Sequence, residues 1–226
     1  MTLANVHLDG CRLIVVDGAE AKLQDVTVHY LGNSSAVVVS GRDTTLQATN
    51  VKISADSGML VERGAGFEGE WVHVEGARVL GICARDESSC LILSHSHINC
   101  TATHALARTA VIAADRAFVA MHQCALMGFA EGVSIASNAA VTLTECNLDM
   151  ARTCSDRDVV SVYGGCVVWD KTTAFNATGS WITVAGLPSP VQDMLTSRVT
   201  QDSVINVDTR TATDAVVCTV DGESIV

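Results

Sequence analysis

Residues 138 to 150, NAAVTLTECNLDM, place apolar side chains at Val141, Leu143, Cys146 and Leu148 with polar residues between them, and the alternation slips by one residue in the middle. An uninterrupted strand keeps a period of two. The slip therefore predicts two short strands joined at a bend, where one extra residue resets which side chains face inward. The frame recurs along the chain. VTLTECNL at 141–148 aligns with MTLANVHL at 1–8, AKLQDVTV at 21–28, TTLQATNV at 44–51, FEGEWVHV at 67–74, LILSHSHI at 91–98 and VAMHQCAL at 119–126. Its last positions, Leu8, Val28, Val51, Val74, Ile98, Leu126 and Leu148, lie 20, 23, 23, 24, 28 and 22 residues apart. The first, third, sixth and eighth positions are expected to face a core, and the fourth and fifth to make the bend. The fifth is polar at Asn5, Asp25, His95, Gln123 and Glu145, with Ala48 and Trp71 departing from the rule. Between copies runs a second apolar segment that ends in turn residues: RLIVVDG, SAVVVSG, GMLVERG, RVLGICARD, TAVIAADR and EGVSIASN.

A unit of about 22 residues holding short strands and no helical period predicts a solenoid of stacked parallel strands. The signatures VTLTECNL and SAVVVSG resemble the right-handed parallel β-helix repeat of the pectin-lyase-like fold, a group that includes pectate lyases, polygalacturonases, phage tailspikes and adenoviral β-helical proteins. The resemblance covers about residues 1 to 170. It implies an all-β, single-stranded right-handed parallel β-helix, and the handedness comes from the resemblance alone. With coils about 4.8 Å apart, eight to ten of them would make a rod on the order of 40 Å long. Residues 171–226 lose the register, although WITVAG, SVINVD and AVVCTV read as further strands. The expected division is a β-helix over 1–170 and a β-rich cap or assembly segment over 171–226. The first coil starts at Met1 with no capping segment ahead of it, so the amino end reads as a truncation point or as an edge covered by a partner.

Composition narrows the picture. The chain is 48% hydrophobic but carries only three Trp, two Tyr and four Phe, so its core must be built from small aliphatic side chains that stack well on strands. A net charge of −11 opposes a general nucleic-acid or anionic-membrane binder. No apolar run reaches the roughly 20 residues needed to span a bilayer, and no signal peptide is visible at the amino end. The nine cysteines include no C-x-x-C pair and read as buried thiols. Cys124 and Cys146 share the inward sixth position, with Ser96 and Thr49 in earlier copies. No cofactor is expected.

Chemistry on a solenoid should appear as polar residues clustered on consecutive coils. The outward seventh position holds His7, Thr27, Asn50, His73, His97, Ala125 and Asn147. His73 and His97 fall on neighbouring coils with His95 at the corner beside them, and with Trp71 they form the candidate binding set. Three imidazoles suit zinc, but no carboxylate or Cys completes a ligand set, so no metal is assigned. Polysaccharide cleavage needs two carboxyl groups held apart. The candidates are Asp86 and Glu87 in ARDESS, Asp115 in AADR, and Asp156 with Asp158 in CSDRDV. All follow a second strand, where Asp also serves to bend backbone. The double Asp, Gly-His-Gly and Arg-x-Lys strings of polygalacturonases are missing, and so is a pectate-lyase-like Asp column.

A clear repeat without those enzyme motifs points to a non-enzymatic structural or attachment protein. The resemblance implies a viral spike or capsid-decorating component, on a virion or at a cell surface, that binds partner proteins or host glycans. Such rods associate laterally, and a homotrimer is the favoured assembly, with Ala125 and Ala48 as small outward positions. Two alternatives stay open. One is a polysaccharide-degrading enzyme of tailspike type, with Trp71, Tyr163, Trp169 and Trp181 to stack on sugars; the other is a fragment of a cell-surface repeat adhesin.

Overall fold

The computed structural model describes residues 1–100, 109–149, 158–169, 174–176, 180–184, 203–206, 217–220 and 223–225, with side-chain placement through residue 149. The described chain winds as an all-β parallel solenoid of about six turns with no helix. Each turn has three faces. Face A holds the strands Leu13–Val16, Val37–Ser40, Ser57–Glu62, Leu80–Ala84 and Thr109–Ala113 and the start of Glu131–Thr144. Faces B and C come from the recurring frame. In three turns a single assigned strand crosses both faces, at Glu20–Tyr30, Thr45–Ala55 and Gly66–Glu75. We number the complete coils one to six, at 13–30, 37–55, 57–75, 80–99, 109–127 and 131–149.

The registers stack like residues on like. Leu13, Val37, Met59, Ile82, Val111 and Val133 form one inward column on face A. Leu8, Val28, Ile53, Val74, Ile98, Leu126 and Leu148 form another on face C. These columns merge into one aliphatic core. Each fully buried Val, Leu or Ile in it contributes about 1.5–3 kcal/mol.

The bend between faces B and C is a single residue in the left-handed region, at Asn5, Asp25, Asn50, Trp71, His95, Gln123 and Glu145, with φ between 50° and 57°. One such residue swings the chain onto the next face and sends the following side chain back inward, which is the slip seen in the sequence. The third copy needs correction. Leu23 pairs with Ala48 and Val28 with Ile53, so the copy in coil two is LQATNVKI at 46–53 and not TTLQATNV at 44–51. Asn50 is therefore the corner, Val51 takes the inward place given to Thr49, and Lys52 takes the outward place given to Asn50. Ala48 is not an outward position; it is buried in the core at 3% exposure.

Two further devices set the coil. Face A enters face B through tight turns in which both central residues have positive φ, at Asp17-Gly18, Arg63-Gly64, Asp115-Arg116 and Ser137-Asn138. The amide of Ala19 donates to the Val16 carbonyl at 3.2 Å across one such turn, and Ala117 donates to Ala114 at 3.1 Å across another. Where face C enters face A, the register brings Ala36, Gly58, Gly81 and Ala110 into one small-residue column. A Cβ on Gly81 would stand 2.4 Å from the Ala110 carbonyl oxygen and 2.5 Å from Ile98 Cγ2, so the corner closes only around small residues.

Beyond coil six, the strand Asp158–Trp169 pairs in parallel with Glu131–Thr144, and Ser180–Val184 pairs in parallel with Asp158–Trp169. Ser203–Asn206 pairs in parallel with Ser180–Val184, and Val217–Val220 with Asp158–Trp169, whereas Glu223–Ile225 runs antiparallel to Val217–Val220. The strands expected in WITVAG, SVINVD and AVVCTV are thus present.

Candidate functional site

Two clusters emerge, on opposite borders of face B. The first is a ridge at the B–C corner of coils three to five. Trp71 and His95 are successive corner residues, and their rings stack with centroids 4.8 Å apart and planes 15° from parallel. His122, just before the next corner, meets His95 edge-on at 5.9 Å. On face C, His73 and His97 are register partners and stack at 5.1 Å with a 19° interplanar angle. Lys52 precedes them in that column. The structure thus brings together all four residues proposed from the sequence and adds His122. That residue was missed because it lies one position before the corner, where side chains share the outward face with the corner itself.

A bulky aromatic in the left-handed region is rare, since its Cβ crowds the backbone there; Asn, Asp and His are the usual occupants. Trp71 nevertheless holds this conformation and keeps 48% of its surface exposed. Its neighbour in the column, Asn50, turns away, with Nδ2 donating to Asp25 Oδ1 at 2.6 Å. Among the described residues, His95 is the one ring packed on the indole. Burial holds the His73 imidazole below its ordinary range, followed by the neighbouring His97 and Lys52 cations, with Glu75 working the other way. Glu75 itself is held by Lys52 Nζ at 2.9 Å and by the Ser54 hydroxyl at 2.7 Å.

The second cluster lies at the A–B turns of coils four to six, where Asp86, Glu87, Asp115, Arg116, Ser137 and Asn138 line an open groove of about 510 Å³. Three candidate carboxylates from the sequence therefore share one depression. Two are already engaged: Glu87 Oε1 pairs with Arg116 at 3.0 Å, and Asp86 Oδ2 accepts the Arg63 amide at 3.1 Å. Asp86 and Asp115 both have positive φ, so both also shape their turns. Acid catalysis by a carboxyl group needs one member of a pair kept protonated by an apolar, water-poor setting. The groove here is open and lined by polar side chains. Asp156 lies outside the described residues. Asp158 begins the strand Asp158–Trp169, and Tyr163, Trp169 and Trp181 fall on strands whose side chains are outside the description. Of the polygalacturonase strings, the Asn-x-Asp form does occur, at Asn147-Leu148-Asp149, which forms a strand on face C of coil six.

The buried thiols of the described residues serve the core and the backbone. Burial pushes the Cys83 thiol up to about 11. Cys124 and Cys146 face inward and donate to the His122 and Thr144 carbonyls, each at 3.3 Å. Ser96, in the same column, accepts the Val72 amide at 3.0 Å, so these small polar groups serve backbone groups at the bend. Among the described residues no group of three His, Cys, Asp or Glu is placed to hold a metal ion.

A family model described as "Right handed beta helix region" matches residues 12–182. No curated protein and no solved structure matches the chain.

Proposed function

The chain belongs to the right-handed beta helix family, and from that premise we propose that it is a non-enzymatic attachment rod whose lateral ridge holds a glycan. The observation that carries this reading is Trp71, an exposed indole kept in a conformation its backbone disfavours and stacked on His95. Strain retained at one position points to a function for the side chain held there. An aromatic platform bordered by imidazole donors is a common way to receive a sugar ring, through its apolar C–H face and its hydroxyls. The rod would stand on a virion or cell surface and associate laterally, as a trimer. Screening the chain on immobilised oligosaccharides beside Trp71→Ala tests the reading: selective binding that the variant loses supports it, and no binding to any glycan removes it. Light scattering tests the assembly, and a monomeric mass would remove the trimer.

A second reading, a polysaccharide-degrading enzyme, is favoured by the gathering of Asp86, Glu87 and Asp115 around one groove. It predicts cleavage of acidic polysaccharides that Asp86→Asn with Asp115→Asn abolishes. Unchanged polymer length after prolonged incubation would discard it.

A further inference from the structure

We propose that the ridge of coils three to five is a receptor for an anionic polysaccharide, bearing uronate or sulfate groups, and that it engages this ligand as the medium acidifies. The proposal rests on the glycan-binding reading above and narrows it to a ligand class and a control.

The argument begins from the distribution of cations. At neutral pH the chain carries −11 with its histidines uncharged, and protonating all seven would bring it to −4. Four of the seven, His73, His95, His97 and His122, sit on this one ridge, where the rings of neighbouring coils lie 4.8 to 5.9 Å apart. Lys52 extends the His73–His97 column by one coil. An extended polymer laid along the rod axis thus meets an imidazole on each of three successive coils, beside an indole able to stack on a ring, while Lys52 is paired with Glu75.

Carboxylates border the ridge: Glu68 and Glu70 on face B, Glu75 and Asp149 on face C, and Asp25 and Glu145 at the corner. On face C, Glu75 is committed to Lys52 and Ser54, and Asp9 pairs with His29 at 2.7 Å, outside the ridge. On face B, Glu70 lies in register with Ser94, and Ser94 with His122; it is the one acidic group of that column near the imidazoles. At the corner, Asp25 accepts from Asn50 and Glu145 from Gln123. His73 and His97 repel one another once charged, with Glu75 offsetting part of this at His73.

Mutual repulsion is what couples binding to protons. Burial holds His73 below its ordinary range, followed by His97 and Lys52. A carboxylate or sulfate laid against the column offsets both repulsive contributions and favours the imidazolium. Binding must then take up protons at His73, and by linkage affinity rises as pH falls toward the lowered value of the free His73 and levels off below it. The stacked rings present faces to each other, so they suit a bridging anion better than a metal ion, which would need their nitrogen lone pairs to converge.

The test is calorimetric titration of the full chain with hexagalacturonate, a heparin-derived hexasaccharide and neutral maltohexaose, at about pH 7.5 and about pH 5.5, in buffers of different ionisation heat. The expected result is that at least one acidic sugar tightens about tenfold or more on acidification with net proton uptake, while maltohexaose shows no pH dependence. Which acidic sugar responds tells uronate from sulfate. His73→Gln with His97→Gln should abolish the pH dependence, and His95→Gln should reduce it; thermal melting confirms that each variant is folded. Acidic sugars that bind equally at both pH values, or pH dependence that survives in the folded double variant, would overturn the inference and leave the glycan-binding reading standing. No binding of any of the three sugars at either pH would overturn both.

Discussion

The corner column changes character along its length while its backbone stays the same. In the amino-terminal coils it is Asn5, Asp25 and Asn50, residues whose short polar side chains tolerate the left-handed conformation and bond along the column. In coils three to five it is Trp71, His95 and Gln123, with φ within a few degrees of the same value. The first stretch gives the backbone what it favours. The second asks it to hold an indole, and nothing in the core requires that ring, which is half exposed. Fold and display are thus separable at these positions: the amino-terminal stretch follows the needs of the bend, and the middle stretch departs from them where ring chemistry gathers.

The largest effect should come from breaking the frame that both stretches share. Gly81→Val would drive its side chain into the Ala110 carbonyl and Ile98, and it should cost about 3 kcal/mol or more in urea unfolding; a loss under about 1 kcal/mol would show that the corner relaxes freely. Glu62→Ala comes next. Glu62 is buried, accepts from the Ser40 hydroxyl at 3.2 Å and is held by Arg85 Nε at 2.9 Å. Its loss should cost about 1–2 kcal/mol, since Arg85 keeps partial access to water. Burial alone would raise the Glu62 carboxyl, but Arg85 and Ser40 outweigh it and the net direction is down. Its contribution is therefore present above the ordinary carboxylate range and is lost as pH falls through the depressed folded value, so the variant's acid unfolding should be shallower.

Trp71→Asn tests the comparison itself. Giving the middle stretch the residue type of the amino-terminal stretch should raise stability by about 1 kcal/mol through relieved backbone strain, while glycan binding disappears. A destabilised variant would mean that the indole supports the fold after all. The reverse exchange is milder in design: Asn50→Ala removes the bond to Asp25 and places a Cβ without a polar partner in the left-handed region, for a loss of about 1 kcal/mol by thermal melting. The smallest effect belongs to His73→Gln. Because His73 is held below its ordinary range in the fold, the unfolded chain binds its proton first, and the fold loses stability as pH drops below about 6.5. The variant should flatten that part of the pH profile and leave neutral stability unchanged.

Much of the architecture was legible because the bend leaves a mark in the alternation. The one misread copy shows the limit. In TTLQATNVKI a shift of two residues leaves Leu46 and Val51 inward and exchanges the faces of Ala48 and Thr49, two small residues that either frame accepts, whereas a shift of one would turn Leu46 outward. The cue was Asn50, a residue that tolerates positive φ, against Ala48, which does not favour it. The pairing of His73 with His97 followed from register. The Trp71–His95 stack and the approach of His122 depend on rotamers and on the tilt of the corner, which spacing does not encode. The turn carboxylates were identified singly, and their shared groove follows from the stacking of turns of different length.

The one-residue corner also has an evolutionary reading. Each coil offers one site whose side chain projects outward and whose backbone is fixed by the stack around it. Successive sites are about 4.8 Å apart, so the border of faces B and C works as a row of interchangeable characters printed at constant pitch. Asn, Asp, Trp, His, Gln and Glu have all been set there without altering the line. New specificity can therefore be written by single substitutions, each read together with its neighbours one coil above and below, while the core that carries the text is left untouched.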